Sequence, residues 1–402
     1  MRSLQTNPTF TRRTLLLGMV GSAVELTGCG GGGSSVAGLS SGGTGSFTSG
    51  TISGLGSIIV NGIRYNDDNA SVISRDDDNN TAFGRTLKVG MVVSIQGSSV
   101  TAAATANGTA TATATKISCG SEWQGPVSNI GASSFDMLGL TVDVLASTVF
   151  EGAATQLTGL TTSQFVEVHG YVDQTTGHLQ ATYVEVSTTQ PAQYKLSGVV
   201  NNFSAVNRTF KLGTTTQASS QISWDGNTSL PNNWSDGVFV RVKMTPLLLA
   251  TQIRLLASPL TQLGIADDHD AEIHGFISAY QSNANFTVNG ISVDASTASI
   301  TGGSLALGVR VEIHGSVSNG VLVATKVETP NNTDEASRTF EFHGTVSALD
   351  TTAHTFALHG LTFQYNNSTS MQGVTLANGA RIEIKATRTS GVWIATQIQT
   401  DE

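Results

Sequence analysis

Charged side chains are scarce in this sequence, and basic ones are scarcer than acidic ones. Only 12% of the 402 residues are charged, and the net charge at pH 7 is −9. A surface of that sign repels a phosphate backbone unless a local basic patch opposes it. The nearest feature to such a patch is Arg241 with Lys243, a lone pair on a predicted strand. We therefore expect no nucleic-acid partner.

Cysteine is nearly absent, since Cys29 and Cys119 are the only two in the chain. An exported domain stapled by disulfides would carry an even set of cysteines within its folded part. Cys29 has another predicted use, described below. Cys119 is then left alone, and we expect it to be a small thiol near a strand end.

Long apolar runs are missing after residue 29. The longest, at 247–250, has only the length of a strand, whereas a membrane-spanning helix needs about 20 apolar residues. The abundant residues suit strands and turns, with 44 glycines and many Thr, Ser, Ala and Val residues. Because 39% of the residues are apolar, disorder is not expected. These features predict an all-β fold.

The N-terminus has the zones of an export signal. Arg2, Arg12 and Arg13 form a basic start, and the apolar run at 14–24 is too short for a permanent span but suits a signal peptide. The segment at 11–16 partly matches a twin-arginine signal, and an ordinary basic start explains it equally well. The sequence therefore predicts a signal peptide at 1–28.

The tetrapeptide Leu-Thr-Gly-Cys at 26–29 resembles the lipobox of bacterial lipoproteins. The resemblance implies a diacylglyceryl group on the Cys29 thiol, and two acyl chains suffice for lasting attachment. A flexible Gly/Ser-rich tether follows at 29–44. We expect a lipid-anchored protein of the bacterial cell envelope, at the outer membrane or facing the periplasm. An ordinary signal peptide with a chance cysteine is the alternative.

An Ala-Thr-x-aliphatic motif recurs five times, at intervals of 67 to 74 residues. The copies begin at Ala114, Ala181, Ala250, Ala324 and Ala395. Upstream of each lies an alternating strand, such as Val-Glu-Val-His-Gly at 166–170 and Val-Glu-Ile-His-Gly at 311–315. Alternation of aliphatic and polar residues predicts a half-buried strand with one wet face.

Two further signals recur along the chain, although the second repeat has Ser163 in place of the glycine. A glycine stands three residues before the alternating strand and is expected at positive φ. Three residues before that position stands an apolar residue, which we expect to close one end of the barrel and call the plug. The glycines are Gly90, Gly237, Gly308 and Gly379, and the plugs are Leu87, Leu160, Trp234, Leu305 and Leu376. A glycine-containing first strand precedes a hairpin, which is clearest at Asn61 with Gly62 and at Asn289 with Gly290.

Five strands with a plug before the fourth are typical of a small OB-like Greek-key barrel. We predict five tandem barrels, each closed around its own apolar centre, because the repeats are longer than those of a β-solenoid. The predicted β-modules span 45–118, 121–187, 194–257, 270–329 and 339–402.

These units resemble the bacterial domain-of-unknown-function family 5666, which occurs in tandem in exported lipoproteins. The resemblance covers roughly 45–402 and departs most in the third unit. It implies an OB-like fold, and it implies no catalytic residues.

Histidine offers the sharpest chemical hypothesis. His274 on a first strand and His314 on a fourth strand are expected to lie close, but zinc needs at least a third protein ligand. In the other repeats, Gln124 is expected to face His169, and His343 to face Lys385. Because the pair is not kept, we predict strand-end histidines and no metal site.

Other candidates give weaker signals. The acidic run at 76–80 lacks the glycine and distal glutamate of a calcium loop, so a solvated loop is expected. Trp224 lies in a predicted turn and is a candidate for sugar stacking, whereas Trp234 is expected in the core. Hydrolase, phosphate-loop and dinucleotide motifs are absent from the sequence.

The anchor, the repeats and the missing enzyme motifs favour a non-catalytic envelope lipoprotein that acts as a spacer, an adhesive surface or an assembly scaffold. A protein that binds oligosaccharide or peptide on a barrel face is the alternative, by analogy of fold. A metal-dependent enzyme is the least favoured. The expected partners are the membrane, through the lipid, and an envelope glycan or protein. No cofactor is expected.

Overall fold

Short strands joined by tight turns account for most of the chain. The computed structural model describes residues 45–76, 81–103, 108–330 and 338–401. It is all-β, with 56% strand and 2% helix, as the composition predicted. The predicted signal peptide, Cys29 and tether lie outside the described residues. Within the described ranges, no helix is long and apolar enough to cross a membrane.

Each repeat contributes a consecutive set of strands. The first has β1 (Ser46–Leu55), β2 (Ile58–Val60), β3 (Ile63–Asn66), β4 (Ser71–Ser74), β5 (Val92–Gly97) and β6 (Ala110–Cys119). The second has β7 (Trp123–Ser128), β8 (Ser134–Met137), β9 (Leu140–Gly152), β10 (Phe165–Val172) and β11 (Leu179–Ser187), with a 3-10 turn at Leu157–Gly159. The third has β12 (Tyr194–Ser204), β13 (Thr209–Leu212), β14 (Ile222–Ser223), β15 (Phe239–Met244) and β16 (Ala250–Leu255).

A short helix, α1 (Pro259–Leu263), precedes the fourth repeat. That repeat has β17 (Asp270–Ser282), β18 (Asn285–Val288), β19 (Ile291–Asp294), β20 (Ser299–Thr301), β21 (Arg310–Ser318) and β22 (Val321–Glu328). The fifth has β23 (Phe340–Thr345), β24 (Ser347–Asp350), β25 (Thr355–Leu358), β26 (Leu361–Gln364), β27 (Ser370–Gln372), β28 (Arg381–Thr389) and β29 (Val392–Thr400).

The strands of a repeat pair in a ring. In the first repeat, β1 pairs antiparallel with β2 and β5, β2 pairs with β3, β3 runs parallel to β6, and β5 pairs with β6. The second and fourth repeats follow the same scheme. So does the fifth, where β23 and β24 together replace the first strand. In the third, isolated bridges join Ser223 to Leu249 and Ser229 to Gln252. The fold is thus all-β and contains small five-stranded barrels.

Tight turns connect the second and third strands, as the sequence predicted. They are made by Asn61 and Gly62, Leu138 and Gly139, Asn289 and Gly290, and His359 and Gly360. All eight residues have φ between 50° and 87°, as a type I′ turn requires. The Asn289 side chain also donates to the carbonyl oxygen of His274 at 3.1 Å. A Cβ on Gly275 would collide with that side chain, which explains the glycine in the first strand.

The glycines before the fourth strands are also confirmed at positive φ. Gly90, Gly237, Gly308 and Gly379 have φ between 76° and 92°. Three of the predicted plugs, Leu87, Leu160 and Leu305, are buried. Trp234 and Leu376 pack half-buried against their cores.

The Ala-Thr motif forms a β-bulge between the fourth and fifth strands. In the first repeat Gly97 pairs with Ala114 and Gln96 with Lys116, so that Thr115 is left over. The hydroxyl of Thr115 donates to the carbonyl oxygen of Gln96 at 2.9 Å. The same bond, at 3.0 to 3.2 Å, is made by Thr182, Thr251, Thr325 and Thr396. The recurrence of this motif therefore has a structural cause, because each hydroxyl bonds a carbonyl beside the bulge.

The buried apolar residues form three clusters, so the expectation of one separate centre per repeat is wrong. The first and fifth repeats share one cluster, which also contains Val149 and Tyr183 of the second, and the second and third share another. The third cluster belongs to the fourth repeat with α1, and it also contains Phe47 and Ile73 of the first. Periodicity marks which face of a strand is apolar, but it does not mark which neighbour covers that face.

Pairing of strands also crosses from one repeat to another. The first half of β1 runs parallel to β17, and its end runs parallel to β23. Lys195 on β12 pairs with Gln124 on β7. The described residues accordingly belong to one compact unit.

Trp224 is buried, at 9% exposure, which corrects the expectation of an exposed aromatic in a turn. Its ring stacks on Phe203 at a centroid distance of 5.4 Å and meets Trp234 edge-on at 5.0 Å. Phe210 lies against both tryptophans. These rings fill the core of the third repeat and leave no open stacking face at Trp224.

Candidate functional site

Four outward positions on the first and fourth strands carry most of the chemistry of this chain. Side chains two apart on a strand share a face, and antiparallel pairing sets the two strands side by side. We call each set of four a quartet. The quartets are Glu122, which directly precedes β7, with Gln124, Glu167 and His169 in the second repeat; Lys195, Ser197, Arg241 and Lys243 in the third; Glu272, His274, Glu312 and His314 in the fourth; and Glu341, His343, Glu383 and Lys385 in the fifth.

The fourth quartet holds two glutamates and two histidines. Glu272 pairs with His314, and His274 pairs with Glu312. The His274 Nε2 lies 3.4 Å from Oε1 of Glu272 and 3.4 Å from Oε1 of Glu312. On the other side, the His314 Nε2 lies 3.2 Å from the same Glu312 oxygen. One carboxylate oxygen therefore stands between two imidazoles.

This quartet is shielded but reachable from one side. The side chains of Glu272 and His314 are 1% and 3% exposed, whereas those of His274 and Glu312 are 14% and 17% exposed. Glu272 is covered because β1 pairs along β17 at that point, with Thr48 opposite Glu272. The solvent-facing side of the group is therefore formed by His274 and Glu312.

Three buried atoms of the fourth quartet have no hydrogen-bond partner: Oε2 of Glu272, Nε2 of His274 and Nδ1 of His314. At 3.4 Å, the ring nitrogen of His274 completes a hydrogen bond with neither carboxylate. Buried polar atoms in native proteins nearly always have partners, and an exception calls for a physical explanation such as an ion.

Charge is strongly coupled within this group. Burial lowers the pKa of His274, but the carboxylates of Glu272 and Glu312 outweigh burial and raise that pKa to about 9. Burial raises the pKa of Glu312, but His274 and His314 outweigh it and hold that pKa well below its usual range. The site therefore favours a positive charge between the carboxylates.

A third carboxylate lies beside the fourth quartet. Glu328 on β22 pairs with Glu312 across the strands, and its carboxylate meets the Lys326 ammonium at 2.7 Å. Two groups of possible metal ligands share Glu312: one with Glu272 and His274, the other with His314 and Glu328. Within each group the ligand atoms lie within 4.8 Å of one another.

The fifth quartet has the same Glu-x-His sequence on its first strand, but the ring nitrogens of its histidine have different partners. The His343 Nδ1 lies 2.9 Å from Asp401, and its Nε2 lies 2.8 Å from Glu341. Asp401 is also paired with Arg381, at 2.8 Å. Both ring nitrogens of His343 are thus engaged, although Glu341, His343 and Glu383 also cluster closely enough to hold an ion.

The second and third quartets meet in a buried network of ion pairs with the first repeat. Glu122 contacts Arg75 and, at 3.3 Å, Arg241. Arg241 reaches Asp76 at 3.1 Å, and Lys195 reaches the other oxygen of Asp76 at 2.6 Å. The two carboxylates are thus held by three cations, so the network joins three repeats through ion pairs between protein side chains.

Asp76 corrects the expectation of a solvated acidic loop at 76–80, because the first residue of that run is ion-paired to Lys195 and Arg241. Residues 77–80 lie outside the described ranges. Arg241, expected to be one of a lone basic pair, is 2% exposed and belongs to this network. Burial raises the pKa of Glu122, but Arg75 and Arg241 outweigh it and lower that pKa to about 2.

His169 and Cys119 are buried outside this network of ion pairs. Burial lowers the pKa of His169 to about 3, so the ring is neutral, and it packs edge-on against Tyr183. Cys119 ends β6 as a buried free thiol, and burial raises its pKa to about 12. This is the small thiol at a strand end that the sequence predicted.

The register corrects the pairing expected from the sequence. Gln124 faces Glu167, and His343 faces Glu383. His274 and His314 each face a glutamate, so these two histidines are diagonal neighbours. Sequence reasoning considered the histidine pair and missed the glutamates, although Glu-x-His places both side chains on one face of a strand.

Comparison with known proteins identifies the repeats. The family model described as domain of unknown function (DUF5666) matches residues 48–117, 124–185, 274–328 and 343–399, more than half of the chain. The third repeat is outside these matches. Comparison with the curated proteins finds no match. A solved structure of Drosophila Unr CSD456 matches at 10% identity over 53% of this chain and 98% of that one, with a TM-score of 0.14, too low to support an argument. The family resemblance seen in the sequence is confirmed: the chain belongs to the DUF5666 family.

Proposed function

We propose that this chain is a lipid-anchored bacterial envelope protein whose five β-modules form a non-catalytic scaffold of fixed shape. The signal features at 1–28 and the lipobox cysteine Cys29 support the anchor. Two acyl chains on Cys29 would be its membrane attachment. The protein then presents a folded body outside the cytoplasm through the tether at 29–44.

The observation that carries this proposal is the joining of the repeats into one body. Strand pairing links the first repeat to the fourth and the fifth, and the second repeat to the third. The buried ion pairs of Arg241 tie the first three repeats together. Buried ion pairs add little net stability but strongly penalise any arrangement that leaves a charge unpaired. A scaffold needs such a fixed arrangement.

We also propose that all five modules are OB-type Greek-key barrels. The first strand pairs with the second and fourth, and the third runs parallel to the last, which is the order of such a barrel. The third module departs from it, since only isolated bridges join its third and fifth strands. The experimental structure of that module is the test of this part.

Fractionation of the native host tests the anchor. The wild-type protein is expected in the membrane fraction with a diacylglyceryl group on Cys29, detected by mass spectrometry. The Cys29→Ser chain is expected in the soluble fraction and unlabelled by a palmitate analogue, whereas Cys119→Ser keeps the label. A free thiol at Cys29 in exported material contradicts the anchor.

In-cell crosslinking tests the scaffold role. The wild-type protein is expected to give discrete crosslinks to one or a few envelope proteins, which weaken when Arg241→Ala loosens the arrangement of the repeats. Turnover of an envelope substrate by purified protein would contradict the non-catalytic role.

A binding module for an envelope ligand is the second candidate, favoured by one open groove of the third repeat. Its lining includes Pro191, Pro246 and Leu249, and Leu247 at its edge is 90% exposed. An array of envelope peptides and glycans, probed with the Cys29→Ser chain, tests it. Specific binding that Leu247→Ser abolishes favours this second role, and an unbound array favours the scaffold.

A further inference from the structure

We propose that the fourth repeat binds a divalent transition-metal cation of the zinc class through Glu272, His274 and Glu312. His314 orients Glu312 from the opposite side. This inference goes beyond the scaffold role and reverses the expectation from the sequence of strand-end histidines without a metal.

The first argument is the spacing of the ligand atoms. Zinc binds imidazole nitrogen and carboxylate oxygen at distances that place tetrahedral ligands about 3.3 to 3.5 Å apart. The His274 Nε2 lies 3.4 Å from each of the two carboxylate oxygens. The oxygens of Glu272 and Glu312 lie within 4.8 Å of each other, so a small rotation of the more exposed Glu312 closes the third edge.

The second argument is that buried atoms of two of the ligands are unpaired. Nε2 of His274, which lies between the two glutamates, is buried without a hydrogen bond. Oε2 of Glu272 is also buried without one, 3.9 Å from Nδ1 of His314, and a buried carboxylate oxygen without a partner is costly. A cation bound by His274 and by Oε1 of Glu272 supplies the missing partner of the His274 nitrogen and compensates the charge of the buried carboxylate.

The third argument is the support around the ligands. His314 holds the Glu312 oxygen at 3.2 Å, and second partners of this kind orient a ligand in metal sites. The backbone of His274 is fixed by the Asn289 amide at 3.1 Å, and the backbone of His314 by the Thr325 hydroxyl at 3.1 Å. The exposed edges of His274 and Glu312 leave room for entry of the ion and for a water as fourth ligand.

The fifth repeat provides an internal contrast. There His343 is held by Glu341 and Asp401 at 2.8 and 2.9 Å, and Asp401 is paired with Arg381. Both ring nitrogens of His343 already have close partners. We therefore assign the cation to the fourth repeat.

Zinc titration of the full-length Cys29→Ser chain, purified without a histidine tag and stripped with a chelator, tests the proposal. This background removes the lipobox thiol, which would itself bind zinc. Calorimetry with Zn²⁺ is expected to reveal one tight site per chain. Cobalt in its place is expected to give the visible absorption of a four-coordinate site with nitrogen and oxygen ligands.

The variants give a graded expectation. His314→Gln is expected to weaken zinc binding by roughly 10- to 100-fold, as loss of an orienting partner does. His274→Gln and Glu312→Gln, which each remove a ligand, are expected to weaken it more and to abolish the cobalt spectrum. His178→Gln and His343→Gln are matched controls and are expected to keep both, since His178 pairs with a single carboxylate at 2.9 Å.

Circular dichroism and thermal unfolding without metal establish that each variant is folded. Zinc is expected to raise the unfolding temperature of the parent chain but not that of folded Glu312→Gln. Absence of a stoichiometric zinc site in the parent chain overturns the proposal. So does tight binding that survives both His274→Gln and Glu312→Gln, or that is lost only in His343→Gln.

Discussion

The third and fourth repeats carry different residues at the same four outward positions of the barrel. In the third, Lys195 and Arg241 form ion pairs with carboxylates from the first and second repeats at a buried contact. In the fourth, Glu272, His274 and Glu312 converge without a lysine or arginine among the quartet. Because the backbone geometry is shared, the charge of the side chains decides whether this face joins repeats or binds an ion.

The largest effect is expected from breaking this buried network. Arg241→Ala breaks two buried ion pairs at once, with Glu122 and with Asp76, and loss of one member of a buried pair costs about 3 to 5 kcal/mol. The midpoint of denaturant unfolding is the measurement. Lys243→Ala, two residues along the same strand, is the control and is expected to change stability by less than about 0.5 kcal/mol. Equal effects of the two substitutions would contradict the assigned role of Arg241.

Lowering the pH tests the same network through protonation of Glu122. The expected loss of stability is somewhat smaller. Its pKa is about 2 in the folded protein against a reference of 4.5, so the folded state binds this proton more weakly than the unfolded chain. The stabilisation is complete above pH 4.5 and is lost as the pH falls toward 2, about 3 kcal/mol in all. Unfolding midpoints between pH 7 and pH 2 measure it.

Glu122→Gln sharpens this pH prediction. The amide resembles the protonated acid, so this variant is expected to be less stable at pH 7 and to lose the corresponding part of the pH dependence. An acid profile identical to that of the parent chain would show that Glu122 does not carry the effect.

Removing the threonine hydroxyl at the β-bulge between the fourth and fifth strands is expected to give the smallest loss of stability. We expect the same loss in two repeats. Thr182→Val and Thr325→Val each remove a hydroxyl that bonds a carbonyl, of His169 and of His314, at 3.2 and 3.1 Å. Each is expected to cost about 1 kcal/mol, and Thr→Ser at either position is expected to restore most of it. A large loss in one repeat and none in the other would contradict a shared backbone device.

The local elements of this fold could be predicted because their causes are local. Asn61 with Gly62, and Asn289 with Gly290, specify their turns through backbone preferences that the next residue or two decide. The alternating fourth strands and the glycines before them can be recognised in the sequence in the same way. The all-β character and the family follow from these signals alone.

The contacts between repeats could not be predicted, because they join residues distant in sequence. Arg75 and Glu122 meet Arg241 only once three repeats are packed, and no periodicity places them together. Phe47 resembles any apolar strand residue, yet it is buried in the core of the fourth repeat. The residues that face His274 and His314 likewise depend on the register of the paired strands, because a shift of one residue moves every side chain to the opposite face.

Diffraction at the zinc absorption edge, from crystals of the full-length chain grown with Zn²⁺, tests most directly whether charge at equivalent positions decides the role of each quartet. We predict one strong anomalous peak among Glu272, His274 and Glu312, and none within the network around Arg241. A peak at His343 instead, or no peak at the fourth repeat, would contradict the account.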